Sequence, residues 1–257
     1  MSSRCRNRAL LFLVLAAFCA APAQAEERAF RICAEPDNLP LSHRDGGGFE
    51  IEVGRLLAEE LKRPFEVVWA TQRTHGFIRA TIGADKCDAM MSVPAGFDRL
   101  ATTRPWYRSS FMIVGRKDGP KVSGFDDPQL AALTIGVPMI ADGQGAPPAA
   151  ALTRRGLAAN LRAYSAYEPA ALIAAVSEGK IDLAILWGPF AAWHVAARDN
   201  VKTATLPVRD GAIPMAFELA IGVQKGNPAL RDEINVALDR RQQDIASILA
   251  RWRVVQE

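Results

Sequence analysis

Gly83-Ala84-Asp85-Lys86-Cys87-Asp88-Ala89-Met90-Met91-Ser92-Val93-Pro94 is echoed in the second half of the chain by Gly179-Lys180-Ile181-Asp182-Leu183-Ala184-Ile185-Leu186-Trp187-Gly188-Pro189. Each segment reads as a helix stop, a Lys-x-Asp, a short apolar run and a proline. Apolar runs of this length bounded by turn signals suit strands buried on both faces of a sheet. Any two βα units share such features, so the echo alone is a weak signal. Placed once in each half, it points to two similar lobes.

Working outward, strand-like and helix-like stretches alternate nearly throughout, which predicts an α/β fold with mostly parallel sheets flanked by helices. Residues 29–34 read as a strand and 35–48 as a polar loop. Residues 49–61 read as a helix, with Phe49, Val53, Leu56, Leu57 and Leu61 at helical spacing. Glu50 and Glu52 suit its positive N-terminal end. Residues 65–69 form a strand, 76–82 a short helix, and 88–93 and 110–116 further strands. Asp118-Gly119-Pro120 closes this set. In the second set Asp127-Pro128 opens a short helix, 133–137 is a strand, and a loop over 139–148 leads to a helix through Arg155. After a strand at 161–164, Ser165-Ala166-Tyr167-Glu168 fits a capping box for a helix ending near Glu178, with Gly179 as its stop. Residues 181–187 are a strand, Pro189 opens a helix through Arg198, and 217–223 is the last strand. Asn227-Pro228 caps one long final helix with an apolar stripe of Leu230, Ile234, Leu238, Ile245, Ile248 and Leu249.

Ligands of open parallel sheets bind beyond the carboxyl ends of the strands, and clefts between lobes are common sites. Two facing lobes put Ser92, Pro94, Gly96 and Phe97 on one wall of a cleft and Trp187 and Phe190 on the other. Glu35, Asp37 and Asn38 follow the first strand and fit either a polar ligand or cation, or Asx-type turns beside Pro36 and Pro40. Arg73 is a cleft cation or half of a solvated salt bridge. Gln144 lies in Gly143-Gln144-Gly145-Ala146-Pro147-Pro148, whose backbone N–H groups suit an anion if it is more than a plain turn. Trp106 and Tyr107 read as core packing near a hinge. Trp187, Phe190 and Trp193 read as core, or as aromatic anchors for a partner protein.

The first residues read as a secretory signal over residues 1–25. Arg4, Arg6 and Arg8 precede 13 apolar residues, and Ala23-Gln24-Ala25 offers a cleavage site before Glu26. The apolar run is short of the roughly 20 residues needed to span a bilayer. Phe18 before Cys19 argues against lipid attachment. The chain carries 31 basic and 28 acidic residues, and loss of the three arginines leaves 28 of each. A neutral surface gives no footprint for nucleic acid or anionic lipid, and no membrane insertion is expected. Cys33 and Cys87 remain after cleavage. An oxidising compartment favours a disulfide, whereas the inferred strand register separates the two along the sheet; bridge and buried thiols both stay open.

Catalysis finds little support. His43, His75 and His194 stand on separate segments without metal-ligand spacing, His43 reading as a loop residue and His194 as part of a solvated helix face. No Gly-x-Ser-x-Gly elbow or phosphate-binding loop is present, and Cys33 has no evident base. No metal site is expected.

The whole mature chain resembles the type II periplasmic solute-binding proteins, through residues 30–35, 48–52, 86–92 and 181–184. That resemblance implies a two-lobed fold joined by a two-strand hinge, with one lobe formed by residues 26–115 and 217–257 and the other by 116–216. More narrowly, residues 31–40, Gln72-Arg73, Gly76-Phe77-Ile78-Arg79, Cys87-Asp88, Val93-Pro94-Ala95-Gly96-Phe97-Asp98 and Thr102-Thr103-Arg104-Pro105-Trp106-Tyr107-Arg108-Ser109 are similar to the MxaJ/XoxJ-type family. Its members are periplasmic partners of the pyrroloquinoline-quinone (PQQ)-dependent methanol and alcohol dehydrogenases. The resemblance implies a role in assembly or activation of such a quinoprotein. PQQ and metal would belong to that partner, and no cofactor is expected on this chain, which would be a monomer. The alternative is an ABC-transporter receptor for a small solute. Amino-acid receptors usually carry an arginine after the third strand to hold the ligand carboxylate and an acid after the second-lobe strand to hold its ammonium group. Residues 93–97 and 187–189 offer neither, which disfavours an amino acid.

Overall fold

The computed structural model describes residues 28–71, 76–139 and 145–254. The leader, Arg73, His75 and Gln144 therefore lie outside the described residues. The elements run β1 (Phe30–Ala34), β2 (Asp37–Asn38), β3 (Ser42–His43), α1 (Phe49–Glu60), β4 (Phe65–Trp69), α2 (Phe77–Ala80), β5 (Ala89–Pro94) and β6 (Ala101–Arg116). They continue with β7 (Ile135–Met139), α3 (Pro147–Arg154), β8 (Leu161–Ser165), α4 (Pro169–Ser177), β9 (Leu183–Trp187) and α5 (Gly188–Val195). Last come β10 (Val201–Thr205), β11 (Arg209–Asp210), β12 (Ile213–Pro214), β13 (Ala216–Val223), α6 (Pro228–Arg240) and α7 (Gln242–Arg251).

Two parallel triplets, β4-β1-β5 and β8-β7-β9, share one strand order, and β13 and β6 join them into a single sheet. The echoed aspartates explain the likeness. Asp88 accepts from the Arg31 backbone N–H at 2.9 Å, while its own N–H donates to the Arg31 carbonyl at 2.7 Å. Asp182 repeats this with Thr134, at 2.8 and 3.0 Å. Each carboxylate thus fixes the entry of a third strand beside a first strand. The lysines take no part: Lys180 pairs instead with Glu178.

Both faces of the sheet are covered, as parallel strands require. One face of the first triplet packs with α1, α6 and α7 through Phe30, Ile32, Leu57, Ile221, Ile234 and Leu249. Its other face meets Phe77, Ile82, Cys87 and Leu100. In the second lobe Ile113, Ile135, Val137 and Leu152 form one layer, and Val114, Leu172, Ile173 and Val176 the other. Among the described residues no helix is long and apolar enough to cross a membrane.

Several local expectations need correction. The strand expected at 110–116 begins at Ala101, because Pro105 sits at a register shift between Leu219 and Ala220 of β13, where a missing N–H is tolerated. The single last helix is two, broken at Arg241, whose guanidinium is held by Glu60 and Asp244. The break keeps Ile234, Leu238, Ile245 and Leu249 on one core. The capping box does not form. The Ser165 hydroxyl accepts from the Tyr167 N–H, and α4 starts at Pro169, with Glu168 making no side-chain cap. The polar loop at 35–48 contains the β2–β3 hairpin, and the short β10, with Lys202, Thr203 and Thr205 among its five residues, pairs with β6 without an apolar run to mark it.

Cys33 and Cys87 are bridged, with Cα atoms 5.5 Å apart. The register objection fails because Cys87 precedes β5 and stands outside the ladder, which pairs Ile32 with Ala89 and Cys33 with Met90. Closing a loop across 54 positions restricts the unfolded chain. Reduction, or paired Cys33→Ser and Cys87→Ser replacement, should lower unfolding free energy by roughly 2–4 kcal/mol in urea titrations. An unchanged midpoint contradicts the bridge.

Candidate functional site

A buried polar chain lies where the lobes meet. The Tyr107 hydroxyl of β6 donates to Ser92 Oγ of β5 at 3.1 Å. Ser92 in turn hydrogen-bonds Glu50, in the first turn of α1. Trp187, from the end of β9, brings its indole N–H, its only donor, to the Tyr107 oxygen. Phe49 packs edge-on against Tyr107 at 5.5 Å between ring centres, and Trp106 lies 4.6 Å from Tyr107 with its indole N–H on the Met91 carbonyl. On the second-lobe side Trp187 meets Phe111 at 5.4 Å and Phe217 at 6.0 Å. The indole therefore belongs to the apolar cores of both lobes.

Burial sets the electrostatics. The Glu50 carboxyl is pushed up to about 7 by desolvation, with the Ser92 hydrogen bond opposing the shift. Burial, and then the Glu50 charge, raise the Tyr107 phenol above its ordinary range, so it stays a donor at neutral pH. Glu50 is the residue that sequence reading missed. The sequence marks it only as an acid suited to a helix N-terminus, whereas it is 5 % exposed. The signal was its spacing: Glu50, Val53, Gly54 and Leu57 share the buried face of α1.

The expected cleft residues divide. Ser92 and Trp187 come together through Tyr107. Pro94 and Gly96 stand exposed in a turn closed by the Phe97 N–H on the Pro94 carbonyl, and Phe97 packs with the disulfide cluster rather than with Trp187. Glu35 is buried, with its carbonyl accepting from the Ser42 hydroxyl; Asp37 is exposed. Asn38 Oδ1 is buried without a hydrogen-bond partner among the described residues. Arg73 and Gln144 lie outside the described residues.

The aromatic trio is not one group. Trp187 joins Phe111 and Phe217, Phe190 packs in the second lobe, and Trp193 stacks on Trp252 of the C-terminal segment at 4.8 Å. Trp252 is anchored by its N–H on Glu52 at 2.9 Å. The solvated position expected for His194 is also wrong. Its Nε2 is buried without a hydrogen-bond partner among the described residues, and burial followed by Arg198 holds the imidazole below its ordinary range, against the backbone of Leu39. Gly188 fits only because it has no side chain, since a Cβ there would lie 2.7 Å from the Ser110 carbonyl. Helix α5 therefore docks directly on β6. His43, expected in a loop, instead ends strand β3 of the short hairpin, opposite Asp37 and beside Asp45. Among the described residues no group of three or more His, Cys, Asp or Glu is arranged to hold a metal.

Residues 30–255 match the model of the bacterial extracellular solute-binding proteins, family 3. The chain is 30% identical over 249 residues to protein MoxJ of Paracoccus denitrificans, covering 90% of each chain. The periplasmic binding protein XoxJ from Methylobacterium extorquens AM1 superposes with a TM-score of 0.74 at 31% identity, over 89% of this chain and 99% of that one. MxaJ from Methlophaga aminisulfidivorans MPT superposes with a TM-score of 0.79 at 24% identity, over 89% and 100%.

The Glu50 carboxyl gives the junction a pH signature. Between its unfolded value of 4.5 and its folded value of about 7, the native protein holds a proton that the unfolded chain has released. Stability therefore falls as pH rises through that window and levels off above it, a loss of roughly 3 kcal/mol in all. Glu50→Gln should flatten this decline and raise the thermal midpoint at pH 8. Parallel wild-type and variant curves from pH 5 to 8 contradict a buried, proton-holding Glu50.

Proposed function

The chain belongs to family 3 of the bacterial extracellular solute-binding proteins, alongside MoxJ, MxaJ and XoxJ, and on that premise we propose that it is a non-catalytic periplasmic accessory protein of a PQQ-dependent methanol or alcohol dehydrogenase. In this reading it acts in assembly or activation of that enzyme by protein contact, as a monomer, and PQQ and metal stay with the enzyme. The lobes are residues 26–115 with 217–257, and residues 116–216. The cleft walls include Ser92, Pro94, Gly96 and Phe97 opposite Trp187 and Phe190.

The observation that carries this reading is Trp187. It stands where an amino-acid receptor usually carries an acid, and its indole bridges both lobe cores with its N–H on Tyr107. The Pro94–Phe97 turn of the first lobe carries no cation. A zwitterion gains no charged partner from these groups, and an unpaired charge is costly to desolvate. Aromatic side chains at a cleft instead suit the anchoring of a protein surface.

A strain lacking this gene should accumulate dehydrogenase with reduced activity, restored by the gene in trans, and tagged protein should co-purify with the dehydrogenase. Fully active, normally assembled dehydrogenase in the deletion strain contradicts the assembly role.

A further inference from the structure

The second lobe holds an open-mouthed cavity of about 130 Å³ behind the proposed cleft wall, sharing Trp187 and Phe190 with it. It lies at the carboxyl ends of its parallel triplet, beside Pro138, which precedes the final Met139 of β7, Ser165 at the end of β8 and Leu186-Trp187 at the end of β9. That end of a parallel sheet is where open α/β folds receive ligands. Phe111, Leu172, Leu186, Trp187 and Phe190 supply most of the wall, and among the described residues none that lines it is ionisable. Among the described residues the side-chain polar groups of the wall are the Ser165 hydroxyl, engaged by the Tyr167 N–H, and the Trp187 indole N–H, directed to Tyr107.

Size and lining together decide what fits. An apolar protein cavity of about 150 Å³ lined by Leu, Ile and Phe stays dry and takes up benzene. This cavity is slightly smaller and has the same kind of wall. A zwitterion or an ion would lose hydration there with nothing to replace it. Leu172 and Leu186 are 1 % and 2 % exposed, and Phe111 is 7 % exposed. A floor this deeply buried suits a small molecule better than a side chain projecting from a protein surface.

We propose that this cavity binds one small, uncharged apolar molecule of about benzene's size. Trp187 forms part of its wall while its N–H reaches Tyr107 in the other lobe. Filling the cavity therefore bears on the lobe junction, and the indole reports on it. The proposal rests on the cavity alone and holds whichever protein meets the cleft.

Benzene titrated into the intact mature protein, followed by saturation-transfer NMR and tryptophan fluorescence, should give saturable binding, while free L-leucine gives none. Ala166→Phe fills the cavity from its rim and should weaken benzene binding by about tenfold or more. Ala166→Leu serves if the larger replacement fails to fold. Leu172→Ala enlarges the space and should shift preference from benzene toward p-xylene. Absence of benzene binding to the wild type, equal binding of L-leucine, or unchanged benzene binding by a folded Ala166 variant overturns the proposal. None of these results bears on whether the dehydrogenase co-purifies.

Discussion

Strand β6 is the constraint on which the rest of the molecule depends. It pairs with β13 through Ser110 and with β9 from Phe111 onward, so one continuous backbone ladder serves both lobes. Separate lobes on a flexible tether would place the ends of β5 and β9 independently. A shared strand instead fixes how Ser92 and Trp187 approach one another, because Tyr107 stands on it between them. The close seat of Gly188 against the Ser110 carbonyl shows how little room this arrangement leaves.

That geometry turns the lobe junction into a place where polarity is expensive and therefore specific. Glu50, Ser92, Tyr107 and Trp187 each satisfy a neighbour, and a buried chain of this kind holds one arrangement better than an apolar contact of equal area. The carboxyl at its end holds its proton well above the ordinary carboxylate range, up to about 7, which lowers the negative charge at the junction below that pH. Trp193 on Trp252 and His194 beside the Leu39 backbone add a second contact between α5 and the first lobe. The interface is thus aromatic and weakly charged on both sides of β6.

Much of this was legible in the residues. The echo of Asp88 and Asp182 disclosed the twin triplets, and the hydrogen bonds to Arg31 and Thr134 give its physical basis. Helix α1 and strands β1, β4 and β9 followed from apolar spacing. What escaped notice were features set by partners distant in sequence. Pro105 interrupts a strand pattern and is tolerated only because β13 shifts register opposite it. The disulfide depended on a segment outside the ladder. The role of Glu50 escaped because its partners, Ser92 and Tyr107, lie on other strands, although its helical spacing with Val53 and Leu57 places it on the buried face of α1. Trp187 was expected on a cleft wall; its membership in both cores needed the fold.

The central claim is that the cleft walls meet a protein rather than a polar solute. Hydrogen exchange of this protein with and without a purified PQQ-dependent alcohol dehydrogenase tests it most directly. The account predicts slowed exchange in the segments flanking the junction, at residues 92–97 and 187–195, when the dehydrogenase is present. Unchanged exchange in both segments at saturating dehydrogenase would contradict it.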